Sequence, residues 1–244
     1  MRRALALILF FIGFSFSLST LAYAGITDFF EDIQKSVGIS RGLPETKVIR
    51  GLKEALEIGT RNAVKTVSQR DGYYKNPEIK IPLPDPVKKV EKVLRAVGYG
   101  SKVDAFEISM NRAAEKAAPQ ARDLFWDVIK QMSFEDARKI LHGRENEATL
   151  YLEDKTRDRL TAAFRPVIST SMSQVGVTGY YQDLDAKLRT IPFTESFRFD
   201  LTRYVTDRSL DGLFWMLAQE ERKIRENPAA RVTELLKEVF GTMR

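Results

Sequence analysis

The chain has 244 residues, a formal charge of +6 and no cysteine. Without cysteine there are no disulfides, thiolate metal sites or cysteine nucleophiles, so the core has to hold the fold unaided. The mild positive charge is mixed along the chain with no long basic run. That argues against a nucleic-acid partner and suits an anionic surface, such as a lipid headgroup layer or a cell-wall polymer.

The chain opens like an export signal. Arg2 and Arg3 form a positive n-region, Ala4 to Leu18 is an apolar run, and Ala22-Tyr23-Ala24 is the small-x-small pattern cut by signal peptidase. Residues 1–24 are therefore expected to be a signal peptide, and residues 25–244 a single domain starting at Gly25. The apolar run is shorter than a spanning helix, and Ser15, Ser17, Ser19 and Thr20 dilute its end, so no transmembrane helix is expected after cleavage. The cut lacks the cysteine of a lipoprotein, and the expected location is periplasmic or secreted. The signal carries two arginines and no acid, so the mature chain would have 220 residues (244 less 24) and a charge of +4.

Beyond the signal, apolar residues recur at helical spacing almost throughout. Ile26, Phe29, Phe30, Ile33 and Val37 make a first stripe. Pro44 reads as the first residue of a long helix reaching about Gln69, within which Gly51, Ala55, Gly59 and Ala63 recur every four residues. Such a small-residue ridge predicts a tight helix crossing. From Asp71 to Pro86 the prolines at 77, 82, 84 and 86 deny helix, and alternating Ile79, Ile81 and Leu83 suggest an extended strap over apolar surface or a short edge strand.

Helix resumes at Pro86 with Asp85 as N-cap and ends at Gly98 and Gly100. Ser101 with Asp104, and Ser133 with Asp136, resemble capping arrangements. Pro119 opens another helix, Asn146 caps a further one that Pro166 should kink, and Tyr180 to Leu188 marks a shorter one. Thr190 to Phe199 reads as a loop. The helix from about Asp207 to Arg225 is apolar nearly all round in its first half, the mark of a central buried helix. Asn227-Pro228 starts the last helix. The expectation is an all-α, single-domain helical bundle of nine to eleven helices with one proline-rich strap.

Several segments in order carry a family resemblance: GLKEALEIGTRNAV at 51–64, DGYYKNPEIKIPLP at 71–84, VDAFEISMNRAAEKAAPQA at 103–121, MSFEDARKILHG at 132–143, EATLYLEDKT at 147–156 and YVTDRSLDGLFWMLAQEERKIRENPAAR at 204–231. The chain resembles the bacterial domain-of-unknown-function family 4197. The resemblance implies an exported, mostly helical bacterial protein and no particular activity, so it brings no catalytic residue with it.

Reactive groups are few. His142 is the only histidine and stands beside Gly143 at a helix end, where the ring faces the last carbonyls. No metal site, cofactor motif or phosphate-binding glycine loop is recognised. Glu221 lies in the middle of the stripe formed by Leu213, Phe214, Leu217 and Ile224, with Arg225 one turn on. It is either a paired structural carboxylate or a carboxylate in a pocket. Glu107, Asn111 and Glu115 form a row that suits a solvated helix edge or a site for a cation or polar ligand. Tyr73 and Tyr74 sit at a turn, as core packing or as rings against a sugar or apolar groove.

The leading expectation is a non-enzymatic binding protein for a lipid-like ligand, an envelope surface or an envelope protein. One alternative is a hydrolase of envelope glycan using carboxylates alone, with Glu221 beside Glu107, Glu115 or Asp211. Another is a structural or adaptor protein.

Overall fold

Apolar residues three and four apart along nearly every segment make helices that can only bury their stripes against one another. The computed structural model describes residues 44–174, 177–188, 200–231 and 233–241, and all regular structure among them is helical. The signal-like residues 1–24, the stripe from Ile26 to Val37 and the expected loop Thr190–Phe199 lie outside the described residues. Leu43–Arg244 forms one compact unit.

Helix α1 spans Glu45–Ser68 and buries Val48, Leu52, Ala55, Leu56, Ala63 and Val67. Pro44 is its N-cap rather than its first helical residue. The carbonyl of Pro44 accepts from the amides of Lys47 and Val48. After a strap, residues 85–131 form one kinked helical run, α2. Its three segments are Asp85–Leu94, Gly100–Ala117 and Ala121–Gln131, joined by a π-turn at Arg95–Tyr99 and a 3-10 turn at Ala118–Gln120. Then come α3 (Phe134–His142), α4 (Glu147–Gln174), α5 (Val177–Leu188), α6 (Leu201–Glu226) and α7 (Glu234–Gly241).

The expected nine to eleven separate helices are not matched, because the described residues form seven α-helical runs. Two expected breaks are only kinks. At the first, Gly98 takes φ 88° and Val97 leaves helical angles, yet the hydrogen-bonded run continues as a wider turn. At the second, Pro119 sits in a first turn, where its missing N–H costs nothing.

Cap expectations divide. Ser133 and Asp136 form a reciprocal capping box at the start of α3. Asp85 is instead the first residue of α2, behind Pro84. Ser101 caps nothing, because the segment begins at Gly100 and Asp104 is taken by Arg95 at 2.7 Å. Asn227 opens a 3-10 turn rather than the last helix, and α7 begins seven residues later, at Glu234, where Thr233 Oγ1 accepts from the Leu236 amide. Pro166 stays inside an uninterrupted α4.

Helix α6 is the centre, as its apolar composition requires. It packs mainly on α4 and α1, while the middle segment of α2 packs on α4 and α5. Phe125 and Phe214 meet edge to face at 5.9 Å between ring centres. The small-residue ridge of α1 makes its close approach at one end only. A Cβ on Gly51 would stand 2.6 Å from Val239 Cγ2 of α7, whereas one on Gly59 would make ordinary contact with Glu220 at 3.7 Å.

Candidate functional site

Two polar clusters lie inside the bundle, and both join elements distant in sequence. The first is built on Glu221. This carboxylate, 7 % exposed, projects from α6 onto the first turn of α4. Its Oε1 accepts from the Ala148 amide at 3.0 Å, and its Oε2 from the Thr149 amide and hydroxyl, both at 2.8 Å. The N-terminus of α4 is thus capped from 72 residues away, and Glu221 does the work expected of Asn146.

Arg225 completes the joint. Its guanidinium donates to Glu221 Oε1 at 2.8 and 3.0 Å and to the Ile140 carbonyl at 3.0 Å in the last turn of α3. A cation therefore meets the C-terminal end of α3 and an anion the N-terminal end of α4, the arrangement both macrodipoles favour. The 143–146 turn between these helices is clasped by two residues one turn apart on α6. Arg231 likewise donates to the carbonyls of Ile224 and Arg225, closing the end of α6.

An apolar cleft adjoins this joint, walled by Leu52, Ala55, Gly59, Leu217, Ile224 and Phe240. Its volume is about 20 Å³, room for about one water.

The second cluster holds the strap, residues 69–84. Asp71 adopts φ 71°, and Gly72 follows where a Cβ would stand 2.5 Å from the Thr66 carbonyl oxygen and 2.7 Å from that of Val67. Only glycine fits there, so the chain turns off α1 at this point. Tyr73 then enters the core with no exposed surface, and its hydroxyl donates to the Ser209 carbonyl of α6 at 2.6 Å. Its ring occupies the niche left by Gly212, where a Cβ would lie 2.8 Å from Tyr73 Cε1. Burial and the charge of Glu115 push the Tyr73 phenol far above its ordinary range, so it acts only as a neutral donor.

The row on the middle segment of α2 is the other half of this clamp. Asn111, fully buried, accepts from the Ile81 amide and donates to the Ile81 carbonyl, both at 2.9 Å, as a neighbouring strand would. Glu115 accepts from the amides of Tyr73 and Tyr74 at 3.2 and 3.4 Å and is paired with Arg112 at 2.7 Å. Arg112 also binds Asp71, whose carboxyl is held below its ordinary value by the hydrogen bonds from Lys75 and Arg112. Glu107 pairs with Lys80 of the strap at 2.7 Å. The expected solvated edge is therefore a buried seam, and the seam's bonds go to the strap itself. No strand forms among the described residues, because Asn111 supplies the pairing an edge strand would have needed.

Tyr73 is too deep to stack on a ligand. Tyr74, half-buried, is covered by the Lys80 ammonium at 4.8 Å and the Arg112 guanidinium at 5.9 Å. His142 is exposed, with Nδ1 2.8 Å from the Arg138 carbonyl. Asp211 is paired with Arg157. Of Glu221, Glu107, Glu115 and Asp211, each of the three described clefts holds at most one. No group of three potential metal ligands and no helix able to cross a membrane occurs among the described residues.

The sequence pattern located Glu221, Arg225 and the 107–111–115 row but missed Gly212, Ser209 and Arg112. A glycine in a core helix, Gly212, is the one signal from which the Tyr73 niche could have been found.

No curated protein and no solved structure matches the chain. A family model described as "Protein of unknown function (DUF4197)" matches residues 42–241, from just before α1 to the end of α7, and the chain belongs to that family.

Proposed function

We propose that the chain is exported through residues 1–24 and acts in the periplasm or beyond as a non-enzymatic docking protein for a component of the cell envelope. One observation carries this reading: the polar side chains best placed for chemistry are all engaged in joining helices. Glu221 and Arg225 clasp α3 to α4, Asn111 and Glu115 bind the strap, and the strap's Tyr73 ties it to α6.

A glycan hydrolase working with two carboxyl groups needs both to face one open space. No described cleft joins two of Glu221, Glu107, Glu115 and Asp211. Of the acids that do share one, Glu91 and Glu107 are paired with Arg95 and Lys80, and Asp200 with Arg165. A carrier of a lipid-like ligand needs an apolar chamber of roughly 300 Å³ or more, against about 20 Å³ in the apolar cleft beside Glu221. The larger space, about 590 Å³, is an open groove whose walls include Asp158, Arg165, Ser169 and Asp200. Both support recognition at the outer surface of the bundle.

The test is native mass spectrometry of the chain recovered from its host's envelope fraction. A mass corresponding to a chain beginning at Gly25, with nothing bound, is the expected result. A stoichiometric lipid adduct would replace surface docking with an internal carrier. A chain still beginning at Met1 in the cytosolic fraction would overturn export.

A further inference from the structure

The first segment of α2 is the least covered helix near the strap. It buries only Val87 and Leu94, on one side. At 100° per residue the opposite side carries Lys88, Lys89, Lys92, Val93 and Ala96, and all five are exposed. Val93 is 41 % and Val97 45 % exposed, the two most exposed large apolar side chains among the described residues. The third, Trp126, has the Lys130 ammonium over its ring at 4.7 Å; nothing comparable covers the valines.

Beyond Val97 stands Gly98 at φ 88°, where an added Cβ would meet nothing within 4 Å, so the elbow is open to its surroundings. No acid pairs with Lys88, Lys89 or Lys92 among the described residues. Glu91 and Asp104 are both taken by Arg95. Asp85 stands one turn before Lys88 and Lys89 without pairing with either, and about 12 Å from Val93 at 1.5 Å per residue.

We infer that this face together with the elbow that follows it (Lys88, Lys89, Lys92, Val93 and Val97) docks on a bilayer surface carrying anionic phospholipid headgroups. The inference deepens the envelope-docking reading and rests on it for where such a surface is met. Three unpaired lysines meet the phosphates, and the two valines at the elbow enter the headgroup layer. The chemistry favours a bilayer over a protein partner. Two valines are far short of the roughly 800 Å² that each side of a standard protein interface buries. A reversible surface contact needs only a short apolar tip with basic shoulders.

The experiment is co-sedimentation of the chain, as recovered from its host, with phosphatidylcholine vesicles containing about one third phosphatidylglycerol, and with phosphatidylcholine alone. Preferential binding to the anionic vesicles, weakened by salt, is expected. Lys88→Glu/Lys89→Glu/Lys92→Glu should reduce it at least about tenfold, and Val93→Ser/Val97→Ser severalfold. Lys65→Glu/Lys116→Glu/Lys139→Glu, the same charge change at exposed lysines elsewhere, should leave most of it.

All substituted positions are exposed, so circular dichroism melting should be unchanged and loss of binding is not loss of fold. Equal binding to both vesicles, no binding to either, or equal loss from the two lysine triples would overturn the inference. Purified chain and vesicles test it wherever the chain resides, so its failure is separate from failure of the export reading.

Discussion

The strap at 69–84 and the elbow at 95–99 both carry the chain from one helix to the next, and both contain a residue at positive φ. In the strap, Asp71 and Gly72 are pressed against the end of α1, Tyr73 and Ile81 are buried, and Asn111, Glu115 and Ser209 reach in from two helices to bind them. At the elbow, a Cβ on Gly98 would meet nothing within 4 Å and Val97 is nearly half exposed. Extended backbone can be buried only if its amides and carbonyls find partners, so the strap needed polar side chains inside the core. The elbow's backbone is exposed at residues 95–98, where water can satisfy it, so it needs no partner and is left available for recognition.

The difference is measurable. Asn111→Ala leaves the Ile81 amide and carbonyl buried without partners and should cost about 3 kcal/mol, read as a lower urea midpoint. A loss under about 1 kcal/mol would mean that water takes over the clamp. Gly72→Ala forces a Cβ against backbone oxygens that cannot move aside, and about 2 kcal/mol of destabilisation is expected in the same assay. Gly98→Ala meets no atoms and bears only the cost of a left-handed conformation, about 1 kcal/mol. If Gly98→Ala proved costlier than Gly72→Ala, the contrast between bound strap and bare elbow would collapse.

The smallest effect is set by pH. The lowered Asp71 carboxyl contributes stability that is in place above its ordinary value of 3.8 and is lost as pH falls through the lower folded value. Asp136, held low by Ser133, acts in the same direction. Urea midpoints measured from neutrality down to pH 3 should therefore fall, and Asp71→Asn should flatten part of that fall. Lys88, Lys89 and Lys92 pair with no carboxylate among the described residues, so charge changes there should leave the profile's shape alone.

Much of the fold was legible in order along the chain. The stripes of α1 and α6, the proline strap and the Ser133 capping box depend on spacings of two to four residues, which a sequence displays directly. The Glu221–Arg225 pair was legible for the same reason, being one helical turn apart. Its purpose was not. The amides that Glu221 caps belong to Ala148 and Thr149, and no local pattern connects residues 72 apart in the chain. Asn146 stood where a cap belongs, yet a carboxylate from another helix took the amides because its charge suits the end of a dipole better than a neutral amide does. The row at 107, 111 and 115 was misread as a solvated edge because its polarity was visible and its partner, the strap's backbone, was not.

The sequence by itself determined the helical class, the position of the strap, the absence of thiol chemistry and the family, because these rest on composition and short-range periodicity. Tertiary structure alone decided which carboxylates are buried, that they bind backbone, and that Gly51 and Gly212 rather than Gly59 receive neighbouring side chains. It also decided that the lysines and valines before Gly98 face outward. These depend on which surfaces meet, and that follows from packing all the helices at once around α6.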